Sequence, residues 1–209
     1  MNCEPTEEGL RALKKRRTRR DIVVAALELS LEHSYRATTI PMIAERALVS
    51  PRTVSTYFPN KDDIPLDGSE DVLVGLAARL EEKELPLVER LRLWIDDRGP
   101  HHDEELEVLR RQAVTRDSDL RLIEHRYLDR FAEVVAAAVA EEIGAAPKDS
   151  GPQTFAAAFL GVLLSLRDRL ADGKKRKKGQ EKPEDALEAG FKFLEAGLVS
   201  LREDVAVSS

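Results

Sequence analysis

Residues 38–61 read TTIPMIAERALVSPRTVSTYFPNK: two short helix signatures joined by a tight turn and closed by an aromatic pair. Thr39 is a hydroxyl residue suited to cap a helix, and behind it Ile40, Ile43, Ala44 and Ala47 recur at the spacing of one buried helical face. Pro41 falls in the first turn, where backbone amides have no intrahelical partner. Ser50-Pro51 then restarts a helix, as an N-cap followed by proline at the first helical position. In that second helix Val54 and Phe58 face inward, leaving Pro51, Arg52, Ser55 and Thr56 on the open side. The pattern is that of a helix-turn-helix.

Such an outward face suits a DNA major groove, which admits a helix and presents donors, acceptors and thymine methyls. Arg52 is placed to pair bidentately with guanine, while Thr53, Ser55 and Thr56 can donate to base edges or phosphates. Tyr57 and Lys61 are expected near the sugar-phosphate backbone, and Thr39 and Pro51 complete the set of expected contacts. The plainer alternative is a pair of ordinary core helices with Tyr57 and Phe58 as packing residues.

From residue 17 to 64 the chain resembles the N-terminal domain of the TetR family of dimeric, ligand-responsive transcriptional regulators. The resemblance is carried by Ile22, Ala25, Ala26 and Leu29 of a first helix, Tyr35-Arg36-Ala37-Thr38-Thr39, Ile43-Ala44, Val49-Ser50, Arg52-Thr53-Val54 and Tyr57-Phe58-Pro59-Asn60-Lys61. The chain departs from the family pattern at Ser34 and Leu48, where glycine is usual, and at Ser55, where an aromatic is common. A left-handed Leu48 would cost on the order of 1–2 kcal/mol, which favours a slightly remodelled turn.

The formal net charge of -6 disfavours nonspecific attraction to a polyanion, but the charge is unevenly placed. Between Arg11 and Ile64 stand eleven Lys and Arg against six Asp and Glu. Most of that excess is Arg11, Lys14, Lys15, Arg16, Arg17, Arg19 and Arg20, ahead of the first periodic helix. Residues 1–16 are therefore expected as a basic arm able to lie along phosphates or enter a minor groove, the bland alternative being a solvated, frayed helix start. With 42% apolar and 34% charged residues, few aromatics and abundant helix formers, the composition predicts an all-α protein. A lone Cys3 permits no intrachain disulfide. No signal peptide is seen, and the longest apolar run, residues 155–166, falls about six residues short of a membrane span. The expected compartment is the cytoplasm.

After the reader at 17–64, residues 65–209 read as a helical effector-binding and dimerisation domain, with helices near 70–84, 86–97, 103–116, 118–143, 152–171 and 183–202. Ser118 and Ser150 are candidate caps. The helices near 153–170 and 186–201 combine large apolar and small residues, so a two-fold four-helix interface is expected through Phe155, Phe159, Leu163, Leu187, Phe191, Leu194 and Leu198. The resemblance implies the same homodimer, which would read a palindrome with two recognition helices. The basic run at 174–182 reads as a solvated linker. Trp94, His125, Tyr127, Phe131 and Phe159 are candidate walls of an effector pocket, each with plain core packing as the alternative. His101, His102 and Asp103 lack converging partners for a metal, and neither a metal nor a cofactor is expected.

By resemblance, the partners are double-stranded DNA, a small-molecule effector and a second copy of the chain, with no membrane. The implied function is that of a repressor released from its operator when a ligand favours a conformation whose reading heads no longer match successive grooves. The alternatives are an architectural DNA-binding dimer without an effector and a helical enzyme. The enzyme finds no phosphate loop, nucleophile elbow, zinc signature or cysteine with a plausible base.

Overall fold

The computed structural model describes residues 7–98, 103–171 and 182–208. Among the described residues the elements are α1 (Glu7–His33), α2 (Ile40–Arg46), α3 (Pro51–Tyr57), a short 3-10 turn (Lys61–Asp63), α4 (Ser69–Leu80), α5 (Leu87–Arg98), α6 (Glu104–Arg116), α7 (Ser118–Ile143), α8 (Ser150–Ala171) and α9 (Pro183–Ser208). The fold is all-α, as the composition predicts. Cys3, Gly99, Pro100, His101, His102, Gly173 and most of the 174–182 run lie outside the described residues.

The chain divides into two compact units, residues 1–68 with 105–125, and residues 69–104 with 126–209. In the first, Ile22, Ala25, Ala26 and Leu29 of α1, Ile43 and Ala44 of α2, Val54 of α3, Phe58 and Ile64 form one core. Ala113 and Val114 of α6 and Leu120 and Ile123 of α7 complete it. The reading head thus takes in residues far beyond position 64. Every one of these apolar side chains is at most 8% exposed, so their burial supplies the main driving force for the unit.

Both caps form. The Thr39 hydroxyl accepts the Met42 N–H at 3.4 Å, and the Ser50 hydroxyl accepts the Thr53 N–H at 3.0 Å. The turn between α2 and α3 is not remodelled: Leu48 adopts φ 56°, the left-handed conformation that glycine favours. Val49 N–H donates to the Ala44 carbonyl at 2.9 Å across this turn, a reverse hydrogen bond that requires the left-handed residue before it. Ser34 likewise sits at φ 88°, at the end of α1.

The second unit packs α4, α5, the rest of α7, α8 and α9 around Leu76, Leu91, Val135, Val139, Phe159 and Phe191. Trp94, Phe131 and Phe159 cluster within it: Phe131 and Phe159 stack at a centroid separation of 6.0 Å, and Trp94 is tilted against them at 5.6 and 6.4 Å. Arg90, 3% exposed, is buried among these helices, its guanidinium donating to the Leu80 carbonyl and, at 2.8 Å, to Glu142. The residues expected at a dimer face all belong to this unit. Phe155, Phe159, Phe191, Leu194 and Leu198 are at most 5% exposed and lie in this core, leaving Leu163 and Leu187 half-buried at its margin. Helical periodicity identifies an apolar face without saying what covers it, and here the chain's own helices do.

Candidate nucleic-acid interface

The face of α3 is built from its ends inward. Ser50 caps it, Pro51 starts it, and Val54 with the Phe58 that follows it anchors it in the core. Pro51, Arg52, Ser55 and Thr56 are consequently exposed, and Thr53 and Tyr57 are half-buried along the flank. Thr53 Oγ1 lies 2.8 Å from Ser50 Oγ, and Thr56 Oγ1 donates to the Arg52 carbonyl, so Thr56 can still accept or turn outward. Among the described residues the Arg52 guanidinium has no hydrogen-bond or ion-pair partner, and it keeps its donors for a ligand. Thr39, exposed at the start of α2, is engaged as its cap.

Lys61 is placed differently from the expectation of a free backbone contact. Its Nζ donates to the Tyr35 carbonyl at 2.6 Å and lies 4.2 Å over the Tyr35 ring, while the Tyr35 hydroxyl donates to the Lys61 carbonyl at 2.5 Å. Burial lowers the Lys61 ammonium below its ordinary range, and burial together with Asp62, Asp63 and Asp117 pushes the Tyr35 phenol well above its own. The phenol therefore remains a donor.

The basic segment divides as well. Its described part is helical, because α1 begins at Glu7. Arg11, Lys14, Lys15, Arg16 and Arg17 are exposed on its opening turns, whereas Arg19 turns inward, donating to Asp67 at 2.7 Å and resting 4.6 Å over the Phe58 ring. Arg20 pairs with Glu105 at 3.5 Å.

Of the five pocket candidates, Trp94, Phe131 and Phe159 share the aromatic core of the second unit and Tyr127 packs partly buried against it. His125 is exposed and belongs to the first unit. A groove of about 400 Å³ opens elsewhere, between α8 and α9, lined by Ala158, Gly161, Val162, Ser165, Leu166, Ala186, Leu187, Ala189, Gly190 and Phe193. Leu187 is the one expected dimer residue that lines it. Phe193, at 66% exposed, stands on that groove and was not anticipated, although its position two residues from Phe191 placed it on the opposite side of α9 from the core.

The sequence reading also missed Asp117. Its Oδ1 accepts the N–H groups of Asp119 and Leu120 at 2.9 and 3.1 Å, so this residue and not Ser118 caps α7. An aspartate one position before a periodic apolar helix is itself a cap signal.

Comparison with known proteins agrees with the geometry. Residues 22–66 match the family model described as bacterial regulatory proteins, tetR family, and residues 95–199, half of the chain, match that described as the MftR C-terminal domain. The HTH-type transcriptional regulator TcmR of Streptomyces glaucescens is 39% identical over 77 residues, 37% of this chain and 34% of that protein. That match spans about a third of the length of this curated relative. A crystal structure of a protein from Mesorhizobium loti MAFF303099 assigned to the TetR family shares the fold at a TM-score of 0.52 and 18% identity, over 88% of this chain and 96% of that one. The TetR-family regulator PfmR of Thermus thermophilus is 23% identical over 85% of this chain and 96% of its own, at a TM-score of 0.40. Among the described residues no helix is long and apolar enough to cross a membrane. With a capped helix-turn-helix presenting an open α3 face, and with both family models matched, the chain belongs to the TetR family of transcriptional regulators and carries its DNA-binding domain at the N-terminal end.

Proposed function

We propose that the protein is a cytoplasmic homodimer that represses transcription from a palindromic operator and is released from it by a small-molecule effector. The observation that carries the reading is the exposed α3 face, on which Arg52 offers a guanidinium with no partner among the described residues, beside Ser55 and Thr56. Arg52 reads guanine, while Thr53, Ser55 and Thr56 contact base edges or phosphates. Pro51, Tyr57 and the exposed cations of α1 follow the backbone.

The α8–α9 groove supports the dimer, with its self-complementary mix of Ala158, Gly161, Ala189, Gly190 and the exposed Phe193. A two-fold contact there would bury Phe193 against small residues of the second copy. In this reading the effector binds against Trp94, Tyr127, Phe131 and Phe159, whose packed rings would have to part to admit it. The same tight ring packing is also compatible with a second reading, an architectural dimer that takes no effector.

Selection of bound duplexes from a random library at physiological salt tests the whole. An enriched palindrome bound at least about a thousandfold better than scrambled DNA supports the regulator, and Arg52→Ala should relax preference at one position in each half-site. Binding without enrichment, lost equally for all sequences as salt rises, would refute it. Phe193→Asp, followed by sedimentation, should yield monomers. A thermal-shift screen separates the two readings, since a ligand at a hundred times its Kd adds about 2.7 kcal/mol.

A further inference from the structure

Asp117 is 6% exposed and carries a carboxylate with two separate tasks. One oxygen caps α7 through Asp119 and Leu120, and the other accepts the Tyr35 backbone N–H at 2.5 Å. Tyr35, 3% exposed and placed between α1 and α2, in turn grips Lys61 at three points: ring, carbonyl and hydroxyl. Lys61 lies just beyond the end of α3. The start of α7 and the far end of the recognition helix are therefore joined through a single residue, with every link buried or half-buried inside the first unit.

We propose that Asp117 is a positioning residue for DNA reading, one carboxylate that caps α7 and holds Tyr35, through which the trailing end of α3 is clasped at Lys61. The proposal rests on the reading of α3 as the DNA-recognition helix. A cap alone requires one oxygen, and Asn or Ser would serve it equally well. The second oxygen, spent on Tyr35, makes this position more than a cap. On the same geometry Lys61 is a structural cation and neutralises no phosphate.

The experiment uses the full-length chain and the duplex enriched from the random library, with a scrambled duplex as competitor. Asp117→Asn keeps an acceptor for the cap and turns an N–H toward the Tyr35 amide, while Asp117→Ser keeps a cap with no second oxygen. Tyr35→Phe removes the grip on the Lys61 carbonyl, and Lys61→Met removes the ammonium. The ratio of affinities for enriched and scrambled duplex should fall about tenfold for Asp117→Asn and for Tyr35→Phe, the loss of one charge-assisted or buried hydrogen bond appearing as lost alignment. The double variant should lose less than the product of the two, because both act on one clasp. Lys61→Met should leave the slope of log K against log salt unchanged. A fraction of unfolded protein lowers both affinities alike and cannot change their ratio, so a merely structural role predicts an unaltered ratio. That result, or a slope reduced by about one in Lys61→Met, overturns the proposal. If the unmodified chain enriches no duplex, the reading of α3 falls and the proposal with it; if it enriches one and the Asp117 variants keep the full ratio, the proposal alone falls.

Discussion

Leu48→Gly should make the protein more stable, although it deletes a whole leucine side chain. Leu48 is 92% exposed, so truncation removes almost no buried apolar surface. Its φ of 56° places Cβ against the following carbonyl, a conformation costing roughly 1–2 kcal/mol for a residue with a Cβ. Glycine relieves that cost but loses about 0.4–1 kcal/mol through the added freedom of its unfolded chain. The net gain is about 0.5–1 kcal/mol, or an upward shift of roughly 2–3 °C for a chain of this size. Leu48→Ala is the matched control, since alanine keeps the Cβ and the strain and should leave stability within a few tenths of a kcal/mol. Thermal unfolding of the three proteins, paired with hydrogen exchange at Val49, whose N–H closes the turn to Ala44, reads the effect globally and locally. Equal stability of the glycine and alanine variants would refute the assignment of strain to Leu48. A lower midpoint for glycine would mean that the exposed leucine makes a stabilising contact after all.

Two glycines with equally close neighbours should respond differently to alanine. A Cβ at Gly190 meets both Val162 methyls at 2.8 Å, and a valine stiff at χ1 cannot yield, so Gly190→Ala should cost about 1–3 kcal/mol in a denaturant melt. At Gly151 the 2.8 Å neighbour is the tip of Leu201, which can rotate, and Gly151→Ala should be near neutral. Glu142→Ala strands the Arg90 guanidinium in the core with only the Leu80 carbonyl, and a loss of about 3 kcal/mol is expected by the same assay. The raised phenol ionisation at Tyr35 makes its contribution to stability complete below the ordinary phenol value of about pH 10 and declining above it, a limb that Tyr35→Phe should flatten. Lys61, with its ammonium disfavoured by burial, acts in the opposite sense, its contribution growing as pH rises toward its ordinary value.

Local chemistry made the reader legible in advance. Thr39 and Ser50 cap, Pro41 and Pro51 start, and Val54 and Phe58 turn inward because these preferences act within one helical turn and need no partner from elsewhere. The same holds for α7, whose limits at Ser118 and Ile143 follow from uninterrupted periodicity. α9 runs past the expected Arg202 to Ser208 because no breaker intervenes in that stretch. At Leu48 local preference pointed to a remodelled turn and lost: the Val49–Ala44 hydrogen bond and the buried Ile43, Ala44 and Val54 on either side hold the turn in its left-handed form.

Burial was the part that needed the third dimension. Phe155, Phe191, Leu194 and Leu198 read as one apolar set that could face either a second chain or the chain's own core, and the packing of α4, α5, α7, α8 and α9 puts them in the core. Asp117 meets Tyr35 at a separation of 82 positions, and Tyr35 meets Lys61 at a separation of 26. No sequence spacing encodes contacts of that range. The caps, turns and helical faces of this protein were determined by its sequence through interactions a few residues long; the partner of each face, and the contact of Lys61 with Tyr35, were decided by tertiary structure, because burial and long-range hydrogen bonding depend on what the rest of the chain brings alongside.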